Sequence, residues 1–73
     1  MSIQYAVVLE EGDSGWVVAS VPSLPGCHSQ GRDRKEALAN IQEAIEGYIA
    51  VLQEDGEPVP QPDIDIVMVR VAA

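Results

Sequence analysis

The spacing of apolar residues changes along this sequence, and each change marks a boundary between predicted elements. Residues 3–10 have one parity that is apolar throughout, which is typical of a β-strand with one side in a core. Polar and glycine residues at 11–15 and a second apolar run at 16–21 follow, so the two runs are predicted to form an antiparallel hairpin. Pro22 ends the second strand because proline has no backbone N–H to donate.

A five-residue turn at 11–15 determines the expected pairing of this hairpin. The predicted pairs are Leu9 with Val17, Val7 with Ala19, and Tyr5 with Val21. All six side chains then point to one side of the sheet, because alternate residues of a strand share a face. This side is predicted to pack against a helix.

A short third strand and one long helix are predicted in the middle of the chain. Residues 27–30 have room for only a brief strand before Gly31 ends it. Asp33 is predicted to be the helix N-cap, and Glu36 to complete a variant capping box. Apolar residues then recur at helical spacing, which indicates an amphipathic helix with one face in the core. They are Leu38, Ile41, Ile45, Tyr48 and Leu52, flanked by Ala37, Ala44 and Ile49.

The helix is predicted to end at Gly56, which can adopt the left-handed conformation of a C-terminal cap. Alternating prolines then give an extended connector, and residues 64–71 are predicted to form a last strand that is apolar on both parities. The element order is therefore β-β-β-α-β. This is an α+β fold with one helix on one face of an antiparallel sheet, and residues 1–73 are expected to be a single domain.

The sheet face that points away from the helix is predicted to be unusually apolar. It carries Ala6, Val8, Trp16 and Val18, whereas the free face of an antiparallel sheet is normally polar. A small domain with one cysteine and one histidine has neither a disulfide nor a zinc site to support it. We therefore expect this face to bind a second copy, as a homodimer or a dimer of dimers. The alternative is that Trp16 folds back over its own hairpin and that a long proline-rich loop shields the rest of this face.

The composition favours a basic protein partner over a nucleic acid. Lys plus Arg number 4 and Asp plus Glu number 12, which gives a formal net charge of -8. Binding to phosphates needs clustered cations, so neither a nucleic acid nor an anionic membrane is expected as a partner. No apolar run approaches the length of about 20 residues that a membrane span needs, and there is no signal-peptide pattern. We expect a cytoplasmic protein.

The sequence offers no convincing catalytic group. Cys27 is next to His28, but neighbouring residues of a strand point to opposite faces, which separates the imidazole from the thiol. The acidic residues at the hairpin turn and on the helix are expected to be solvated rather than tuned for proton transfer. We therefore expect no enzymatic activity, no metal and no cofactor.

Two consecutive motifs resemble those of a known family. The run at residues 15–31 is similar to "vPxLPGCxSxG", and residues 34–45 are similar to "EAlxNixEAI". Both occur in the N-terminal domain of HicB-type antitoxins, and the resemblance covers residues 3 to about 60. The motif residues expected to shape the turn before the helix are Pro22, Leu24, Pro25, Gly26, Cys27 and Gly31. Toxin contact by this turn is an equal alternative.

The resemblance implies a non-enzymatic domain with a double-stranded-RNA-binding-like or partial RNase H-like arrangement. In complete family pairs, this domain docks on a HicA-type toxin, a small basic RNase, and blocks mRNA cleavage. We expect the toxin to contact the acidic helix face formed by Glu36, Glu43 and Glu46. The sequence ends at Ala73, directly after the last predicted strand, so we expect no C-terminal DNA-binding domain and no operator binding. An oligomeric structural or regulatory protein that retains the fold without a toxin is the alternative function.

Overall fold

Three antiparallel strands and one helix make up the regular structure in the computed structural model, which describes residues 3–72. The strands are adjacent in the order β1-β2-β3. The α+β class and the single helix on an antiparallel sheet are therefore confirmed. In chain order the elements are β1 (Val8–Glu11), a short 3₁₀ turn (Asp13–Gly15), β2 (Val17–Ser20), β3 (His28–Gly31) and α1 (Arg34–Glu54).

The hairpin between β1 and β2 is shifted by two residues from the predicted pairing. Leu9 lies opposite Ala19 and Glu11 opposite Val17, so the predicted Leu9–Val17, Val7–Ala19 and Tyr5–Val21 pairs are wrong. The reason is that β1 continues to Glu11 and the turn is closed later, where the Gly12 N–H donates to Trp16 O at 2.6 Å. Because the shift is an even number of residues, each side chain keeps its predicted side.

The helix begins where the sequence predicts, because Asp33 caps it. The Asp33 Oδ1 accepts a hydrogen bond from the Glu36 N–H at 2.8 Å. The Glu36 carboxylate in turn accepts a hydrogen bond from the Arg32 N–H at 3.0 Å. In a standard capping box the donor would be the N–H of the N-cap residue itself, Asp33, one residue later. Gly56, with φ 69°, ends the helix in a left-handed cap as predicted.

The core lies between β2, the turn before β3, and the first half of α1. Leu24 and Ile41 are its largest fully buried side chains. Its buried members are Ala19, Val21, Leu24, Cys27, Ala37 and Ile41. The residues packed against them include Tyr5, Val7, Leu9, Val17, Ala44, Ile45 and Tyr48. The 21-residue helix is about 31 Å long, more than twice the length of a four-residue strand, so its C-terminal half extends past the sheet.

The predicted last strand is absent from the described part of the chain. Residues 57–72 have no regular secondary structure, and β1, β2 and β3 are the strands that pair within residues 3–72. The prediction of a strand at 64–71 is therefore wrong for the single chain, and the observed order is β-β-β-α. Apolar β-branched residues favour a strand, but a strand also needs a neighbour for its backbone hydrogen bonds. The side chains of this segment are exposed instead.

Candidate functional site

The turn between β2 and β3 is built by backbone hydrogen bonds at both ends of a short loop. The Leu24 N–H donates to Val21 O at 3.0 Å, and the Cys27 N–H donates to Leu24 O at 3.0 Å. Gly26 has φ 80°, a conformation that glycine adopts more readily than other residues. This geometry turns the Leu24 and Cys27 side chains into the core. Pro22 and Pro25 remain exposed.

Cys27 and His28 are not arranged as a nucleophile and its base. The Cys27 side chain is buried, and burial raises the pKa of its thiol, which disfavours the thiolate that acts as a nucleophile. His28 is exposed, and its Nδ1 lies 3.1 Å from Gly26 O. The thiol is therefore unsuited to nucleophilic chemistry in the folded protein.

An apolar cavity of about 370 Å³ lies between this turn and the second half of α1. We call it the turn–helix groove. Gly47 is part of its lining, and a Cβ at that position would meet no atom within 4 Å. Tyr48 closes one side by donating its hydroxyl to Pro25 O at 3.0 Å. The groove is lined by Gly26, Cys27, His28, Ala44, Gly47, Tyr48, Val51 and Leu52. The sequence reasoning missed this groove; glycine in the middle of an otherwise good helix was the available signal.

A second groove runs along the other side of α1, beside the segment that precedes β1. We call it the edge groove. Its walls are the mostly apolar side chains of residues 3–7 on one side and of α1 on the other, with Glu46 among them. It is lined by Ile3, Tyr5, Val7, Leu38, Ile41, Gln42, Ile45, Glu46, Ile49 and Gln53. The groove exists because α1 packs against β2 and β3 and leaves the helix side of the β1 edge uncovered.

The three carboxylates expected to contact a toxin have different surroundings. Glu36 forms an ion pair with Arg32, whose Nη2 lies 3.1 Å from the Glu36 Oε2. Hydrogen bonds from the Arg32 side chain and backbone lower the pKa of Glu36, and the same contact raises the pKa of Arg32. Glu43 and Glu46 are exposed on later turns of the helix. Glu36 is thus paired at the helix start, whereas Glu43 is exposed and Glu46 is exposed at the rim of the edge groove.

The sheet face opposite the helix combines apolar and polar side chains. Ala6, Val8 and Val18 are partly buried there, and Trp16 is exposed. Val18 lies between Glu10 on β1 and Gln30 on β3. The apolar patch is therefore narrow and flanked by polar residues.

Neither a membrane-spanning helix nor a cluster of metal ligands is found in the part of the chain that the structure describes. Across residues 3–72, no helix has the length and apolar character needed to cross a membrane. Within the same range, no group of three His, Cys, Asp or Glu side chains is placed to hold a metal ion.

Comparisons with known proteins identify a family and several similar proteins. Residues 5–70 match the family model described as "HicB_like antitoxin of bacterial toxin-antitoxin system". A UPF0150 protein of Thermoplasma acidophilum is 40% identical over 68 residues, covering 93% of this chain and 99% of that protein. A UPF0150 protein of Synechocystis is 48% identical over 60 residues, covering 82% of this chain and 76% of that protein.

A solved structure supports the same assignment at the level of the fold. The N-terminal domain of the Burkholderia pseudomallei antitoxin HicB superposes with a TM-score of 0.66 at 30% identity, covering 88% of this chain and 69% of that chain. The family-model match over residues 5–70 includes β1 to β3 and α1, which carry the turn motif and the acidic helix face. The chain therefore belongs to the HicB-like antitoxin family of bacterial toxin-antitoxin systems.

Proposed function

We propose that this chain is an antitoxin domain that binds a HicA-type mRNA interferase and blocks its access to RNA. The observation that carries the proposal is the family match over residues 5–70 on a domain whose helix exposes carboxylates. The protein acts by occlusion and carries out no chemistry of its own. The buried Cys27 thiol and its raised pKa support this non-enzymatic role. Its site of action is the cytoplasm, where the toxin and its mRNA substrate meet.

The charge distribution supports a basic partner. The chain has a formal net charge of -8, and an RNase of the HicA type carries positive charge where it binds RNA. Opposite charges on two proteins speed their encounter and make binding weaker at high salt. An acidic domain would therefore cover the same surface of the toxin that binds RNA.

The acidic helix face is the proposed contact, with Glu43 and Glu46 as its principal residues. Both side chains are exposed and free to approach a lysine or arginine of the toxin. Glu36 lies two helical turns before Glu43 on the same side, but its carboxylate already pairs with Arg32. We therefore assign Glu36 a smaller share of the binding than Glu43 and Glu46.

The turn–helix groove adds an apolar surface next to this face. Val51 is exposed at its edge, and protein interfaces combine an apolar centre with a charged rim. A toxin side chain entering the groove would contact Tyr48 and the Gly26 turn. In this arrangement the turn motif of the family contacts the toxin, in addition to its role in folding.

Co-expression tests the proposal directly. The chain is expressed together with a HicA-type RNase, and cell growth and co-purification at low salt are measured. We expect growth rescue and a stable complex. A Glu43→Lys/Glu46→Lys variant should weaken the complex at least tenfold and lose rescue. The matched control is Glu10→Lys/Asp13→Lys, which makes the same change in charge at exposed positions of the β1–β2 hairpin, away from the proposed contact, and should retain both.

Two results would reject parts of this proposal. If the wild-type chain neither rescues growth nor co-purifies with the toxin, the antitoxin function fails, and the alternative of an oligomeric protein without a toxin replaces it. If both charge variants weaken binding equally, net charge governs the encounter and the assignment of Glu43 and Glu46 fails. Circular dichroism on each variant confirms that the helix is intact.

A further inference from the structure

Two residues of α1 are of types that weaken a helix at the positions they occupy. Gly47 lies inside the 21-residue helix, where glycine is less favourable than alanine because it loses more backbone freedom on folding. A Cβ at position 47 would meet no atom of the described chain within 4 Å, so packing inside the domain does not require glycine there. Glu54 lies in the last turn, which has no basic residue, although the helix dipole favours a cation at that end. Residues that break local rules in this way are typical of binding sites.

Gly47 and Glu54 belong to one exposed strip along α1, which we call the helix strip. Its members are residues 43, 47, 50 and 54, and spacings of three and four put them on one side of the helix. Carboxylates stand at its two ends, Glu43 and Glu54, with the small residues Gly47 and Ala50 between them, and all four are exposed. The two glutamates are about 16 Å apart along the helix axis. Because the residues between them are small, the main chain of another molecule can come close to α1 here.

The turn–helix groove lies beside the helix strip and supplies an apolar surface. Gly47 belongs to both, since it also lines the groove. The turn at Gly26 forms the facing wall, so each wall has a position without a side chain. Val51, at the edge of the groove, is 56% exposed. A cavity of about 370 Å³ therefore has room for a large apolar side chain from another molecule.

The charges around this surface favour a cationic occupant. Between Lys35 and Arg70 the sequence has no lysine or arginine, whereas eight of its 12 Asp and Glu residues lie in that interval. An anionic segment would be repelled by the carboxylates of the helix strip, and a neutral one would leave them without a counter-charge. Apolar contact at the centre and charge pairs at the rim are the usual arrangement of a protein interface.

We infer that the turn–helix groove and the helix strip together bind a cationic segment of a partner protein, in which one large apolar side chain lies between two lysine or arginine residues. The apolar side chain enters the groove beside Gly47, and the two cations pair with Glu43 and Glu54. The partner is the toxin of the proposed function, on which this inference rests. Glu54 is thereby added to the contact surface, and Gly47 is the point where the two molecules come closest.

The inference predicts that stability and affinity change in opposite directions at these two positions. Gly47→Ala and Gly47→Leu introduce better helix formers, and Glu54→Lys places a cation at the C-terminal end of the helix. All three variants should therefore unfold at higher urea concentration than the wild-type chain. The same changes fill the space that the partner occupies or repel its cation, so they should weaken binding. A role in folding alone would not make a more stable protein bind less tightly.

Isothermal titration calorimetry with a HicA-type RNase at low salt measures the affinity. Gly47→Leu and Glu54→Lys should each raise the dissociation constant by about tenfold or more, and Gly47→Ala by a smaller factor. One matched control is Gln30→Leu, which adds the same side chain at an exposed position on the opposite face of the sheet. The other is Glu10→Lys, which makes the same change in charge on the exposed hairpin. Both controls should bind as tightly as the wild-type chain.

NMR spectroscopy locates the contact on the chain. Amide signals of the ¹⁵N-labelled chain are recorded while unlabelled RNase is added. The signals of Gly26 and Gly47, on the two walls of the groove, should shift as the complex forms, whereas that of Gly12 in the hairpin should not.

The results separate this inference from the function on which it rests. If the wild-type chain does not bind the RNase, the proposed function fails and the inference fails with it. If the wild-type chain binds but Gly47→Leu binds equally well, or if the Gly26 and Gly47 signals stay unchanged in the saturated complex, the inference alone is overturned. Should Gly47→Leu lose its helical circular dichroism, Gly47→Ala and Glu54→Lys decide the question, and wild-type affinity in both overturns the inference.

Discussion

Gly31 at the end of β3 lies directly against Ala37 in the first turns of α1. A Cβ at position 31 would be 2.9 Å from the Ala37 Cα and 2.7 Å from the carbonyl carbon of Glu36, closer than non-bonded carbon atoms pack in proteins. Because these obstacles are backbone atoms, no side-chain rotation can relieve the clash. The glycine at the end of the turn motif therefore sets the distance between the helix and the sheet.

Gly31→Ala is expected to destabilise the protein by about 1–3 kcal/mol, since the helix must shift away from β3 to accept a methyl group. Urea unfolding followed by circular dichroism measures this change. Gly47→Ala is the matched control, because a Cβ at that helical position meets no atom within 4 Å. It should stabilise the protein by roughly 0.5–1 kcal/mol through its higher helix propensity. Equal effects of the two substitutions would contradict the close packing at Gly31.

Leu24 provides the second prediction, because it is 0% exposed at the centre of the core. Leu24→Ala removes buried methyl groups and leaves a cavity, so we expect a loss of about 2–5 kcal/mol in the free energy of unfolding. Val51→Ala, at a position 56% exposed on α1, should change stability by less than about 0.5 kcal/mol. A small effect at Leu24 would mean that the turn is not packed against the helix.

The helix and the sides of the strands could be predicted from sequence because local signals determine them. Asp33 is a residue type favoured at N-caps, and Gly56 is a residue type that readily adopts the left-handed conformation of a C-terminal cap. Both ends of α1 could therefore be predicted from single residues. The alternation of apolar residues also assigned Leu9 and Ala19 to the helix side, since an even shift in pairing leaves the side unchanged.

The hairpin register and the last strand could not be predicted in the same way. The register depends on the conformation of residues 12–16, where Ser14 adopts φ 62°, and composition alone does not reveal that turn. Residues 64–71 have a strand-like sequence, but they form a strand only when the edge of another strand pairs with their backbone N–H and C=O groups. The grooves arise from where α1 lies on the sheet, which no local pattern determines.

The N-cap gives a third prediction. The Asp33 carboxylate accepts the Glu36 N–H, which would otherwise be an unpaired donor in the first helical turn. Asp33→Ala should lower the free energy of unfolding by about 1 kcal/mol, and Asp33→Asn should retain most of it. Thermal unfolding of the wild-type, Asp33→Asn and Asp33→Ala proteins at pH 7 measures the order of their stabilities. If Asn is as damaging as Ala, the side chain acts through its charge and not through the cap hydrogen bond.

The Arg32–Glu36 pair makes stability depend on pH in the acid range. Contact with Arg32 lowers the pKa of Glu36 in the folded protein, whereas an unfolded chain has a glutamate pKa of about 4.3. The contribution of this pair is therefore complete above the unfolded pKa and is lost as the pH falls through the lower, folded pKa. Urea unfolding between about pH 5 and pH 3 should show a smaller loss of stability for Arg32→Gln than for the wild-type chain. Added salt should reduce the difference, since both groups are in contact with solvent; identical pH profiles would contradict the role of Arg32.

The buried Cys27 gives the last prediction, which concerns reactivity. Burial removes the sulfur from solvent and raises the pKa of the thiol, so both access and the thiolate fraction fall. Labelling with a thiol-specific reagent at pH 8 should be slow in buffer and should accelerate as urea unfolds the protein, because the reaction then follows opening of the core. His28→Ala should leave the labelling rate unchanged, since the exposed imidazole is hydrogen-bonded next to Gly26 and does not activate the thiol. Fast labelling in the folded state that slows in His28→Ala would reverse this conclusion and identify a Cys27–His28 nucleophile.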